Sequence, residues 1–202
     1  VGATTYLLAG LLGYGVVSTA FASLAISLVI RREAGVLKRI RGTPLPTPVY
    51  LAALVTSTLI VVALEVVAQI LVGRFVLDAD WPQAPGSLVL ALALGSLSFA
   101  ALGLALTGMI RSAEGSSAVV NAIYLPATFI SGVFFSVEAM PRVLEALAAF
   151  LPLTYLLELL RDAFVGGAGL DGAAKAVGIL LAWGAAGAAL AVRMFHWEPH
   201  EG

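Results

Sequence analysis

Tyr50-Leu51-Ala52-Ala53-Leu54-Val55-Thr56-Ser57-Thr58-Leu59-Ile60-Val61-Val62-Ala63-Leu64-Glu65-Val66-Val67-Ala68-Gln69-Ile70-Leu71-Val72 holds a single charged side chain, Glu65. As a helix rising about 1.5 Å per residue, such a run reaches about 35 Å, enough to cross a hydrocarbon core about 30 Å thick. It does not alternate apolar with polar, as a barrel strand would. Lipid offers no partner to a bare amide, so the run has to be helical.

Working outward, the same pattern recurs. Upstream, Gly42-Thr43-Pro44-Leu45-Pro46-Thr47-Pro48 denies a continuous helix through its three prolines. Before it lie a basic stretch, Arg31 to Arg41, and an apolar run from about Ala3 to Ile30. Downstream, the polar loop Asp78 to Gly86 carries Trp81 and leads into a third run, about Leu88 to Ile110, which stops at Arg111-Ser112-Ala113-Glu114. A fourth run spans about Ser117 to Phe135, with Pro126 as an expected kink, and the last about Ala173 to Val192. Between them, Met140–Leu147 and Tyr155–Val165 read as helices too short to span, and therefore as re-entrant or interfacial pieces. The expected fold is all-α: one polytopic transmembrane domain over residues 1–202, with five spans and two short helices before the last.

Composition agrees. The chain is 60% hydrophobic and 11% charged, against about a quarter charged in soluble domains. With no cysteine, thiolate chemistry and Cys-based metal sites are excluded. His196 and His200 are four apart in a polar tail where nothing completes a metal site, so they read as solvated. The glycines of 166–172 followed by Lys175 do not form a phosphate loop, since Lys175 stands between Ala174 and Ala176. No catalytic residue, metal or cofactor is expected on this chain.

Orientation follows from charge. If the Arg31–Arg41 loop is cytoplasmic, alternation puts Arg31, Arg32, Lys38, Arg39, Arg41, Arg111 and Arg193 on that side, seven of eleven basic residues. Arg74, Arg142, Arg161 and Lys175 fall on the other. The positive-inside rule thus favours a cytoplasmic C-terminus and an external N-terminus in a cell membrane. Val1 follows neither an initiator Met nor a basic leader, so the chain reads as N-terminally truncated, with one further span expected before it.

The densest motif is Arg32-Glu33-Ala34-Gly35-Val36-Leu37-Lys38-Arg39-Ile40-Arg41-Gly42-Thr43-Pro44. Val36, Leu37 and Ile40 form an apolar stripe at helical spacing, and Lys38, Arg39 and Arg41 cover the rest. Such a helix suits anionic lipid headgroups, or a groove on a cytosolic partner. The residues alone fit either.

This loop resembles the cytoplasmic signature of type-2 ATP-binding-cassette exporter permeases, especially their actinobacterial drug-resistance branch. In that family an Arg-Glu-x-Gly-x-Leu-x-x-Leu/Ile helix followed by Thr-Pro docks on the ATPase; the matching positions are Arg32, Glu33, Gly35, Leu37, Ile40, Thr43 and Pro44, with Lys38 and Arg39 between them. The likeness continues through Asn121–Pro126, Ile130–Phe135, Leu151–Tyr155 and the Phe195-x-Trp197-Glu198-Pro199 tail. It implies six spans, of which this chain supplies the second to sixth, residues 31–46 as the coupling loop, and 136–171 as a re-entrant region on the extracellular side. It also implies a second permease subunit, identical or not, and a separate nucleotide-binding subunit that holds ATP and magnesium. Nothing points to nucleic acid.

Three polar residues inside the runs are substrate-pathway candidates. Glu65 lies mid-span with Gln69 one turn along on the same face. A charged group there costs about 2.5–3.5 kcal/mol on insertion scales, so it faces protein or water. It serves either a pathway or gate, or, as a neutral acid, a hydrogen bond to a neighbouring helix. Asn121 fits the pathway, or an interhelical bond worth about 1 kcal/mol. Gly95, Gly103, Gly184 and Gly187 allow close helix contact. The function expected is a permease subunit exporting a hydrophobic or amphipathic substrate, drug or lipid-like, with antibiotic resistance one outcome. The alternative is an ion-coupled carrier or channel using Glu65. A membrane-embedded enzyme finds no support, because the runs carry no His or Cys.

Overall fold

The computed structural model describes residues 2–110, 112–166 and 170–194. Arg111, Gly167 to Gly169, His196, His200 and the tail residues Phe195, Trp197, Glu198 and Pro199 lie outside the described residues. Every regular element among the described residues is helical: α1 (Ala3–Glu33), α2 (Val36–Arg41), α3 (Thr47–Leu77), α4 (Pro85–Thr107), α5 (Ala113–Ile130), α6 (Arg142–Ala148), α7 (Pro152–Val165) and α8 (Leu170–Met194). A single 3-10 turn, Val137–Ala139, precedes α6.

The chain is thus a polytopic all-α membrane protein. Among the described residues, four helices are long and apolar enough to cross a bilayer: α1, α3, α4 and Ala173–Met194 of α8; α5, expected as a span, is not one of them. The pair α6–α7 makes a fifth if counted as one span, bent by 83°. The expected fourth span differs most from its reading. Helix α5 starts at Ala113, not Ser117, and ends at Ile130, not Phe135, so it has 18 residues and reaches about 27 Å. It starts early because the Ser112 hydroxyl accepts from Gly115 N at 3.2 Å, an N-cap. It ends where Gly132 takes φ 86°.

Other boundaries shift for equally local reasons. Helix α3 continues past Val72 to Leu77 and stops at Asp78, whose φ of 50° turns the chain. Helix α4 runs from Pro85 to Thr107 rather than Leu88 to Ile110. Helix α7 begins at Pro152, three residues before Tyr155, because proline fits the first turn of a helix. Within α1, Val17–Ser23 is a π-helical segment, which the hydrophobic pattern did not announce.

Contacts sort the helices into two ends. At one, Thr5 bonds Asp80, Tyr6 bonds the Gly132 carbonyl, and Ala84 N donates to Ala163 O at 2.9 Å. At the other lie the Arg32, Glu33 and α2 contacts described below, with Gly108 against the Met194 backbone. Both limbs of α6–α7 start and finish at the first end: Pro141 and Leu144 share a hollow with Phe129 and Ile130, and Gly166 abuts Gln83. Their junction, Leu151 to Leu153, lies deeper, beside Phe21 and Phe99. Helix α7 is the core of the bundle, with Leu153, Leu156, Leu157 and Leu160 at most 1% exposed. Leu156 and Leu157 fit against Gly95 and Gly13, where a Cβ would come within 2.7 Å and 2.5 Å. Gly103, Gly184 and Gly187 meet Phe21, Ser98 and Leu102 in the same manner, so close packing is their role.

Candidate coupling and transport site

The basic end is built by α1 as it stops. Ala34 closes the helix and Gly35, at φ 71°, turns the chain into α2. Arg32 is 3% exposed: Nη1 donates to Thr107 O at 2.8 Å and Nη2 to Ile110 O. A guanidinium therefore sits on the carbonyl of Thr107, the last residue of α4, and on that of Ile110, three residues past the helix, at a C-terminal end where cations are favoured. The Glu33 carboxylate accepts from Ala113 N at the start of α5, where anions are favoured. Two adjacent side chains thus clamp the end of one helix and the beginning of the next.

Leu37 is fully buried and Ile40 packs against the core, so both anchor α2 to the bundle rather than offering a stripe to a partner. Val36, Lys38 and Arg39 are exposed, as are Thr43 and Pro44. The Thr43 hydroxyl donates to Ile40 O at 2.6 Å, closing α2 before the proline-rich link. The residues chosen from sequence therefore divide by role: Arg32, Glu33, Gly35, Leu37 and Ile40 attach the segment, whereas Lys38, Arg39, Thr43 and Pro44 face outward.

The pathway candidates also separate. Asn121 is exposed on α5 and lines a groove of about 370 Å³ with Ser18, Ser23, Ser27, Ile26 and Tyr124. Tyr14 and Tyr124 close its flank, hydroxyl to hydroxyl at 3.3 Å, with ring centroids 6.2 Å apart. Glu65 and Gln69 are elsewhere, between α3 and α1. Glu65 Oε2 accepts from the Thr19 hydroxyl at 2.8 Å, and Oε1 from Gln69 Nε2 at 3.1 Å. Gly15 makes the room: a Cβ there would lie 2.6 Å from Glu65 Oε1.

Sequence reading missed Ser18, Ser23, Ser27, Tyr14, Tyr124 and Thr19. The three serines recur at spacings of five and four along an apolar run, which is the signal that was present. Hydroxyls in apolar helices commonly bond their own backbone, as Ser27 does to Leu24 O at 3.1 Å, so the spacing alone did not single them out. Thr19 faces Glu65 from within the π segment, which no periodicity marked.

Among the described residues, a helical bundle with four apolar helices long enough to cross a bilayer, a bent helix pair packed in its core and a short basic segment clamped at one end defines a polytopic membrane protein. The comparisons make this specific: the family model for the ABC-2 type transporter matches residues 2–165, and the chain belongs to that family. It is similar to the putative transport permease YvfS of Bacillus subtilis, 27% identical over 144 residues, covering 69% of this chain and 57% of that one. It is similar to the probable multidrug ABC transporter permease YbhS of Escherichia coli K12, 25% identical over 158 residues, 75% of this chain and 41% of the relative. Nodulation protein J of Rhizobium leguminosarum bv. viciae is 32% identical over 75 residues, 37% of this chain and 29% of its own. The chain thus spans about half the length of the first two relatives.

Proposed function

We propose that this chain is the membrane subunit of an ATP-driven exporter that moves an apolar or amphipathic substrate, with ATP hydrolysed by a separate subunit. The observation that carries the reading is the Arg32–Glu33 clamp. Any force on α2 reaches the end of α4 and the beginning of α5 through it, and α5 is one wall of the groove. Lys38 and Arg39 present positive charge outward on the same short helix, the chemistry that meets an acidic groove on an ATPase.

The groove supports the other half. Asn121 is exposed within a helix that packs thinly, burying only Ser116, Val120 and Thr128. An exposed amide at that depth is unfavourable against lipid and faces protein or water instead. A second permease subunit, closing over the two grooves, provides such a face and encloses a passage lined by hydroxyl, amide and aromatic groups. That mixed lining suits an amphipathic cargo, and the name of the YbhS relative points the same way. On this reading the Arg31–Arg41 end and the C-terminus are cytoplasmic, and α6–α7 close the passage outside.

Vesicles containing the full-length permease and a co-expressed ATP-binding-cassette ATPase test this. Transport of a fluorescent amphipathic dye that starts on ATP addition, and falls at least tenfold in Lys38→Glu/Arg39→Glu, is the expected result. Dye movement that ignores ATP contradicts it and favours the ion-coupled carrier.

A further inference from the structure

Glu65 takes no part in the clamp or the groove, yet it is the one carboxylate between the two ends of the spanning helices α1, α3 and α4. It stands three residues from the midpoint of α3, about 4.5 Å along the axis. Groups from every helix packed against α3 can be named. Between Ala3 and Ile30, α1 offers only Tyr6 and Tyr14 as ionisable residues, and α4 offers none. Within α3 itself, Tyr50 is near the start, and Arg74 points to Ala79 O at 3.4 Å, towards the helix end. Among the described residues of these helices, no fixed cation stands beside Glu65.

Its surroundings are oxygen-rich. Thr19 Oγ1 is 2.8 Å from Oε2, and Gln69 has its amide against Oε1 while its own Oε1 is buried without a partner. Amide oxygen and nitrogen exchange places by a half-turn of the side chain. Turned over, Gln69 puts a third oxygen donor beside Glu65. The site also abuts the π segment Val17–Ser23, and π segments are frequent at functional sites. Gly15, with no side chain, lets the Glu65 carboxyl and the Gln69 amide lie directly against α1.

We propose that Glu65, Thr19 and Gln69 bind a monovalent alkali cation between α1 and α3. The donors are all oxygen, as hard cations require. One carboxylate and one unit charge sum to zero, whereas a divalent ion would leave net charge in the bilayer. Binding displaces no covalent bond: the Thr19 hydrogen turns away and the Gln69 amide rotates. The cation then holds the π segment against α3. This site stands independently of the exporter reading.

Sodium chloride against choline chloride at equal ionic strength is the test, using full-length permease in detergent without ATPase. Sodium is expected to raise the melting temperature of the wild type saturably, and to bind as ²²Na⁺ with an affinity reduced at least tenfold in Thr19→Val. Glu65→Gln should melt at the same temperature in either salt. A wild type indifferent to sodium, with Glu65→Gln equally stable, overturns the site and leaves Glu65 a packing residue. Sodium binding that persists in both variants overturns it as well. Should Glu65→Gln fail to fold, Thr19→Val decides alone, since it removes one hydroxyl and keeps the shape.

Discussion

The two ends of this bundle are held by different forces. At the basic end, charged side chains occupy helix termini: Arg32 on the last carbonyl of α4 and on Ile110 O just beyond it, Glu33 on the first amide of α5. At the opposite end, burial adds to a few charged contacts: α7 fills the bundle with leucines, Arg161 lies over the Tyr6 ring at 3.8 Å while donating to Gly132 O, and Asp80 accepts from Thr5. On the proposed reading, the directional bonds to helix ends would pass a push along the axes, and the leucine-packed hairpin would close the passage at the other end as a plug.

Substitutions can break the contrast, beginning at the basic end. Arg32→Ala removes a buried cation and leaves the Thr107 and Ile110 carbonyls without its bonds. The expected loss is roughly 3 kcal/mol, read as a marked fall in melting temperature, and an unchanged temperature would show that the clamp does not hold the ends. Leu37→Asp buries a charge beneath α2 and is expected to cost a comparable amount, about 3 kcal/mol, so any loss of ATPase binding in it would accompany a loss of stability. Lys38→Glu/Arg39→Glu should leave stability within about 0.5 kcal/mol, as exposed changes do.

At the middle and the far end the effects shrink. Gly15→Ala places a methyl into the Glu65 carboxyl and should cost about 1–3 kcal/mol by overpacking, checked by thermal unfolding in detergent. Tyr6→Leu removes the ring under Arg161 and the bond to Gly132, and is expected to cost about 1–2 kcal/mol. It should also raise labelling of a cysteine placed at Leu153, beneath the plug. Unaltered labelling would mean that the Tyr6–Arg161 contact does not keep the plug seated.

Much of this was legible beforehand because lipid leaves a chain few options. Runs of twenty apolar residues specify spanning helices, and the prolines of 42–48 mark a break between two of them, whereas the stop at Gly132 is not legible in composition, which carries the fourth run on to Phe135. Boundaries moved where a local bond competed with composition, as with the Ser112 cap that starts α5 early and Pro152 that begins α7. The residues proposed for coupling were picked out by motif, but their division into buried and exposed positions was not. Apolar spacing identifies Leu37 and Ile40 as one face of a helix without saying whether that face meets a partner or the chain's own core. The Glu65–Thr19 pairing was hidden for a different reason: residues 46 positions apart meet only through the packing of α1 on α3, and a π segment leaves no trace in hydrophobic period.

The most direct test of the proposal is co-purification of a co-expressed ATP-binding-cassette ATPase with the permease, wild type against Lys38→Glu/Arg39→Glu, with melting temperature measured on the same samples. A stable complex for the wild type, lost in the variant at unchanged melting temperature, is the expected result. An ATPase that never associates, or that binds the variant as tightly as the wild type, would contradict the assignment of α2 as the coupling element.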